Sequence, residues 1–138
     1  MIKKVEHVAL IVTDMEKSIA YYSSMFGYQL RTRGQSPTRD MTFIYHENQP
    51  GFEIELIKDL QPMGDYSDKS IVNHLAFTVE NIEDAIQFYR EKGIQFNSDK
   101  PNTAVDGAKT IFFYGPDREL LQFVEPNEER KKLLDQAT

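Results

Sequence analysis

Four side chains with metal-binding chemistry occupy equivalent positions of an internal repeat. His7 and His74 are 67 residues apart, and Glu55 and Gln122 are separated by the same number. Two imidazoles, a carboxylate and an amide oxygen suit Zn, Ni, Co, Mn or Fe(II), and the sequence does not choose among these ions. The spacing therefore predicts a divalent metal ion bound by one imidazole and one oxygen donor from each half.

The sequence allows two roles for Gln122. Its amide oxygen is either a weak ligand or a hydrogen-bond acceptor for water bound to the ion. In the second case His7, His74 and Glu55 remain as the two-histidine, one-carboxylate set typical of non-haem Fe(II) oxygenases. With four protein ligands, a six-coordinate ion keeps two positions for a substrate with two adjacent oxygens, whose enediolate it would stabilise.

The repeat extends well beyond these four residues. Residues 5–10 (VEHVAL) are echoed by 72–77 (VNHLAF), and 53–57 (EIELI) by 120–124 (LLQFV). Each half predicts a strand, a helix and three further strands. We expect an α+β fold in which two tandem βαβββ modules form a curved mixed sheet around a concave cleft. The first module spans 1–61 and the second 71–126, with 62–70 as a polar linker and 127–138 as a charged C-terminal tail or short helix.

Turn and cap residues set the expected elements. Asp14 and Asn81 are predicted helix N-caps, and Gly27 and Gly93 are predicted to end the helices. The apolar residues at helical spacing are Met15, Ile19, Tyr22 and Phe26 in the first half and Ile82, Ile86 and Tyr89 in the second. Strands are predicted at 5–12, 28–33, 41–46 and 52–58, and again at 72–79, 94–98, 109–114 and 119–124.

Strand alternation predicts which way the ligands point. If each helix covers the face bearing Val8 and Leu10, His7 lies on the opposite face. By the same reasoning Glu55, His74 and Gln122 point to the uncovered face. Glu53 shares that face and is expected at an exposed rim. His46 is expected in an exposed loop, and four aromatic residues are expected either to line a cavity or to pack in the core: Phe43, Tyr45, Phe112 and Tyr114.

Composition excludes several classes of function. A net charge of −6 and a pI near 5.1 argue against nucleic acid as a partner. There is no cysteine, so disulfides and thiolate ligands are absent. Neither a membrane-spanning run nor a signal peptide is recognisable, and a cytoplasmic location without membrane association is expected. The basic residues available to an anionic ligand are few, namely Arg31, Arg33 and Arg39.

The doubled module, with histidine in its first strand and a carboxylate in its last, resembles the vicinal oxygen chelate (glyoxalase, bleomycin resistance and dioxygenase) superfamily. It is most similar to small bacterial glyoxalase I, the lactoylglutathione lyases. The motifs that carry the resemblance are Asp14-x-x-Lys17-Ser18-Ile19-x-Tyr21-Tyr22, Phe26-Gly27-Tyr28, Ile54-Glu55-Leu56, Gly115-Pro116-Asp117 and Glu125-Pro126. The resemblance implies metal ligands at His7, Glu55, His74 and Gln122, a small-molecule substrate and a homodimer, with the modules paired within one chain or across two.

The reaction implied is that of a metal-dependent lyase or isomerase acting on a hemithioacetal of a 2-oxoaldehyde through a metal-chelated enediolate. Glu55 would be the catalytic residue that moves the proton. Two positions depart from glyoxalase I: Gln122 replaces the usual glutamate, and Arg118 replaces a common glycine. The alternatives are an isomerase like methylmalonyl-CoA epimerase (with amide and carboxylate exchanged between modules), an Fe(II) extradiol-type dioxygenase, and a non-catalytic binding or resistance protein.

Overall fold

The order of elements repeats, as the sequence predicts. The structure, a computed structural model, describes residues 1–61, 71–114 and 120–137. The first half contains β1 (Ile2–Ile11), α1 (Met15–Phe26), β2 (Gln29–Gln35), β3 (Arg39–His46) and β4 (Gln49–Asp59). The second contains β5 (Val72–Val79), α2 (Ile82–Glu91), β6 (Asn102–Thr103), β7 (Lys109–Tyr114) and β8 (Leu120–Glu125), followed by α3 (Glu128–Ala137). The predicted α+β class with a mixed sheet is confirmed.

The chain divides into two compact units that share strand β1. One unit is His7–Asn73, and the other combines Met1–Glu6 with His74–Thr138. In the first unit the strand order is β2-β3-β4-β1, and in the second it is β1-β5-β8-β7-β6. The β1–β4 and β5–β8 pairs are parallel, whereas β2–β3, β3–β4, β6–β7 and β7–β8 are antiparallel.

Helix α1 covers the predicted face of the first unit. The Asp14 carboxylate accepts a hydrogen bond from the backbone N–H of Lys17 at 3.0 Å, and Gly27 ends the helix at a φ of 79°. The helix packs Met15 and Ile19 against a cluster that includes Leu10, Val12, Ile54 and Leu56.

Phe26 was predicted in this stripe but is 51% exposed. As the last helical residue, it packs against Tyr21 and Tyr22 instead of the sheet.

Helix α2 does the same in the second unit. The Asn81 side chain accepts the backbone N–H of Asp84 at 3.0 Å, which satisfies one of the free donors of the first turn. Ile82 and Ile86 are buried with Phe123 and the neighbouring strands, and Tyr89 packs at the edge of this cluster. The predicted cap and stripe are confirmed.

The strand predicted at 94–98 does not form. Phe96 makes a single bridge to Phe113, and the next strand, β6, has only two residues. The segment in between favours a turn, because the Ser98 hydroxyl donates to the carbonyl of Lys100 and Pro101 has no N–H for a ladder. The predicted linker 62–70, the Gly115-Pro116-Asp117 turn and Arg118 lie outside the described residues.

The C-terminal segment forms helix α3 and contributes a buried charge to its unit. Arg130 is buried, and its guanidinium donates to the Glu6 carboxylate, which also accepts the Thr78 hydroxyl. Burial lowers the pKa of Arg130 to about 10, which leaves it protonated at neutral pH. No helix of the described residues is both long and apolar enough to cross a membrane.

Glu125 joins three elements of the second unit and gives a prediction about acid stability. Its carboxylate, at the end of β8, accepts the backbone N–H of Ile82 at 2.9 Å and the ammonium of Lys131 at 2.8 Å. Burial raises the pKa of Glu125, but these two donors outweigh it and hold the pKa below its usual 4.5. The stabilisation is therefore present above pH 4.5 and is lost as the pH falls through the lowered value.

We predict that Glu125→Gln lowers the free energy of unfolding at pH 7 by about 1–2 kcal/mol, because two charge-assisted hydrogen bonds weaken. Urea unfolding at pH 7 and at pH 4 measures the free energy of unfolding. This free energy should fall less in the variant than in the wild type on acidification. The control is Glu128→Gln, which removes the other carboxylate near Lys131, 84% exposed, and should leave stability unchanged. Equal losses in the two variants would contradict the role given to Glu125.

Candidate metal centre

The first unit places an imidazole and a carboxylate side by side on the face that α1 does not cover. In the parallel β1–β4 pair Ala9 lies opposite Glu55 and His7 opposite Glu53. Both His7 and Glu55 are buried, and His7 Nε2 lies 3.3 Å from Glu55 Oε1. This distance is short enough for a hydrogen bond and for two ligands of one ion.

The second unit repeats the arrangement. In the parallel β5–β8 pair Ala76 lies opposite Gln122, as Ala9 lies opposite Glu55. His74 and Gln122 are both buried. The alanines are fully buried, so each strand carries a small residue next to its histidine on the ligand face.

An aromatic ring lies against each histidine. Phe43 meets His7 edge-on with ring centres 5.3 Å apart, and Phe112 meets His74 in the same way at 5.2 Å.

The two phenylalanines hold equivalent register positions. Phe43 on β3 lies opposite Glu55, and Phe112 on β7 lies opposite Gln122. The two rings are 69 residues apart rather than 67, which is why the sequence repeat did not pair them. Each module therefore combines an imidazole, an oxygen donor and an apolar ring on adjacent strands.

Two of the four predicted ligands, His7 and Glu55, form a pair suited to an ion within the first unit, which we call the ligand group. Its donor atoms are His7 Nε2 and Glu55 Oε1, and His74 presents a second buried imidazole within its own unit. Ligands about 2.0–2.2 Å from a shared ion are up to roughly 4 Å apart, so the spacing of His7 and Glu55 suits one ion. The donors are two nitrogens and one carboxylate oxygen, which matches the set expected for divalent transition metals.

Gln122 adds an observation that favours a ligand. Its Oε1 atom is buried and has no hydrogen-bond partner among the described residues. Leaving a buried carbonyl oxygen without a partner costs about 1–3 kcal/mol. A cation, or a water molecule bound to one, would satisfy this oxygen. The chemistry of the four predicted ligands therefore fits a divalent ion.

Glu53 is not exposed at a rim, as was expected. It is fully buried, and its two oxygens accept Arg31 Nε and, at 2.9 Å, Arg31 Nη2. A carboxylate on this inner face needs a positive partner because burying an isolated charge is costly. Strand alternation predicted the face of Glu53 correctly. It did not predict the burial, because the partner Arg31 lies on β2, two strands away from β4 in the sheet.

The three arginines named as available to an anionic ligand are each paired within their own unit. Their partners are Glu53 for Arg31, Asp40 and Glu16 for Arg33, and Asp59 for Arg39. The hydrogen bond from Arg33 holds the pKa of Asp40 below its usual value. These side chains therefore serve the protein's own carboxylates.

His46 differs from the exposed loop residue that was expected. It ends β3 half-buried, with its ring edge-on to Tyr28 at 5.6 Å, and its Nδ1 accepts the backbone N–H of Asn48 at 3.1 Å. The chain has three histidines, and this one lies outside the ligand group. His46 is therefore a matched control for the other two.

Comparison with known proteins identifies relatives along most of the chain. The family described as Glyoxalase/Bleomycin resistance protein/Dioxygenase superfamily matches residues 6–114. The ethylmalonyl-CoA/methylmalonyl-CoA epimerase of Cereibacter sphaeroides is 27% identical, covering 85% of this chain and 92% of its own. The lactoylglutathione lyase of Salmonella typhimurium is 26% identical, with coverage of 86% and 90%.

Solved structures match the fold. The crystal structure of methylmalonyl-CoA epimerase from Mycobacterium tuberculosis superimposes with a TM-score of 0.82 over 95% of this chain and 93% of that one. The two sequences are 17% identical, so this match concerns the fold alone. The relatives are mostly enzymes, and they do not agree on one reaction.

We predict that the protein as isolated contains about one divalent metal ion per chain, measured by elemental analysis. His7→Ala and His74→Ala should each lose most of the metal, because loss of an imidazole leaves too few strong donors. His46→Ala should keep the wild-type content. Equal metal content in all three variants would show that the ion, if any, binds elsewhere.

Proposed function

The chain belongs to the glyoxalase, bleomycin resistance and dioxygenase superfamily, and on that premise we propose that it is a metal-dependent lyase or isomerase of glyoxalase I type. The substrate class would be a hemithioacetal formed by a 2-oxoaldehyde and a low-molecular-weight thiol. The observation that carries the proposal is the buried Glu55 carboxylate beside the His7 imidazole. It supplies a general base where two adjacent substrate oxygens would be chelated.

The proposed ligands are His7, Glu55, His74 and Gln122. The nitrogen and oxygen donors suit a divalent transition metal, and the unsatisfied amide oxygen of Gln122 supports its inclusion. When bound, the ion would polarise the two substrate oxygens and stabilise the negative charge that develops on them. With two neutral imidazoles and one carboxylate, the protein leaves the centre a net positive charge for this task.

Glu55 is proposed to move one proton between neighbouring carbons. Its carboxylate takes the proton from the carbon that bears the hydroxyl and the sulfur, and the electron pair of that C–H bond forms the enediolate. The same carboxylate returns the proton to the adjacent carbon, and the hydroxyl proton of the first carbon moves to the oxygen of the second, which gives a 2-hydroxy thioester. The step is an isomerisation, so it needs no oxidant or reductant. Phe43 and Phe112 add apolar rings beside the histidines, which limits the access of water.

The scarcity of bases among the described residues of the ligand face favours this reaction over an epimerisation. The amide of Gln122 cannot accept a proton at neutral pH. The Glu53 carboxylate, on the same strand as Glu55, is held by two hydrogen bonds from Arg31. A proton shift between adjacent carbons on one face needs a single base, whereas inversion at one carbon is served best by two groups on opposite faces. Glu55 is therefore assigned both the removal and the return of the proton.

Epimerisation of an acyl-CoA is the second candidate, because the relatives include methylmalonyl-CoA epimerases. Those enzymes resemble this chain in using two histidines, one glutamate and one glutamine. Their amide lies in the first module and their carboxylate in the second, which is the reverse of the order in this chain. Exchange of the α-proton of methylmalonyl-CoA for deuterium in D2O, without turnover of hemithioacetals, would favour this candidate. Oxygen uptake with a catechol would instead indicate a dioxygenase, and substrate binding without turnover a resistance protein.

We predict that the metal-loaded protein isomerises the adduct of methylglyoxal with glutathione or another small thiol, and that Glu55→Gln lowers kcat by about 10²–10⁴-fold. The amide retains an oxygen for the ion but cannot accept the proton. Thioester formation measured by ultraviolet absorbance gives the rate, and metal analysis of the same sample corrects for lost ion.

Two further variants check this assignment. His46→Ala should keep the wild-type rate, because that residue lies outside the ligand group. Gln122→Glu supplies a second carboxylate and should raise the rate. A wild-type protein that is loaded with metal but isomerises no thiol adduct would overturn the proposed reaction.

A further inference from the structure

Arg31 occupies an irregular position in strand β2. The register between β2 and β3 shifts between Leu30 and Thr32, so Arg31 is the extra residue of a β-bulge. Bulges redirect a side chain and are frequent beside active sites. Here the guanidinium lies 5.2 Å from the centre of the Phe43 ring on β3 and reaches Glu53 on β4. The bulge thus directs a cation across one strand to the next.

The partner of Arg31 lies next to the proposed metal ligands. Glu53 is the register partner of His7 and precedes Glu55 by two residues on the same face. Both carboxylates are buried, yet the ligand group contains Glu55 and not Glu53. Carboxylates are strong ligands for divalent ions, so a second one at this place needs a reason to stay out of the group.

The contacts of Arg31 supply that reason. Two parallel hydrogen bonds from one guanidinium to both carboxylate oxygens are a strong and directional interaction. The Glu53 side chain is only 1% exposed, so little water competes for its oxygens. Phe43 contacts both the guanidinium and the His7 ring, which fills the space between them.

We propose that Arg31 determines the metal preference of the centre by keeping Glu53 out of the ligand set; this inference rests on the metal centre proposed above. Without Arg31, the buried Glu53 carboxylate loses the two hydrogen bonds that hold its oxygens, and an ion bound beside its register partner His7 becomes a competing cation. An added carboxylate favours oxygen-preferring ions such as Mn²⁺ over ions that prefer imidazole nitrogen, such as Co²⁺. It would also occupy a position needed by the substrate.

The chain offers a matched control two residues away. Arg33 also makes a two-point contact with a buried carboxylate, donating to Asp40 at 3.2 and 2.8 Å. Arg33 also donates to Glu16 of helix α1 at 2.6 Å, so the pair lies on the helix-covered face and away from His7. Arg33→Met therefore reproduces the loss of a buried ion pair in β2 without affecting the ligand face.

The experiment compares the affinities of the metal-free protein for Mn²⁺ and Co²⁺ by calorimetric titration, with the visible spectrum of bound Co²⁺ as a record of its ligands. Arg31→Met should raise the Mn²⁺ affinity relative to Co²⁺ by about ten-fold or more and change the Co²⁺ spectrum. The double variant Arg31→Met/Glu53→Gln should restore the wild-type ratio and spectrum, because the additional carboxylate is gone. Arg33→Met and Glu53→Gln alone should match the wild type.

The outcomes separate this inference from the proposed function. If the wild-type protein binds neither ion, the metal centre is wrong and this inference falls with it. If the wild type binds metal but Arg31→Met keeps its ratio and spectrum, or Arg33→Met shifts them equally, this inference alone is wrong. Should Arg31→Met fail to fold, Arg31→Lys serves in its place, because a single ammonium cannot reproduce the two-point contact. It is then expected to shift the ratio in the same direction.

Discussion

Polar side chains buried on the sheet face opposite each helix must find partners, and this constraint organises the rest of the structure. Helices α1 and α2 cover one face of their strands with apolar residues, so strand alternation directs His7 and Glu55 to the other face. Water is excluded there, which makes every unpaired donor or acceptor expensive. The ligand group, the Arg31–Glu53 pair and the unsatisfied oxygen of Gln122 are all consequences of that burial.

The same burial explains why adjacent carboxylates can have different roles. Glu53 and Glu55 are two residues apart on one face, and the Arg31 guanidinium holds both oxygens of Glu53. Glu55 lies beside the His7 imidazole at a distance that suits two ligands of one ion. Two carboxylates on one strand can therefore have different roles without a change of fold.

Local patterns in the sequence were sufficient for the fold and for the sheet face on which the four predicted ligands lie. The caps Asp14 and Asn81, the apolar stripes and the 67-residue repeat each involve residues close in sequence or in equivalent modules. The predictions were wrong where contacts between residues distant in the sequence determine the local structure. The burial of Glu53 depends on a bulge at Arg31, and the failed strand at 94–98 reflects turn residues up to Pro101. The pairing of each histidine with a phenylalanine was missed because Phe43 and Phe112 are 69 residues apart, two more than the 67-residue repeat.

The central proposal is that one ion is bound by two imidazoles, those of His7 and His74, together with oxygen donors. X-ray absorption fine structure of the Co²⁺-loaded protein tests it most directly, since imidazole rings give outer-shell scattering that oxygen ligands do not. We predict two imidazoles, with oxygens completing a first shell of nitrogen and oxygen atoms. A spectrum with no imidazole, or with only one, would contradict the account.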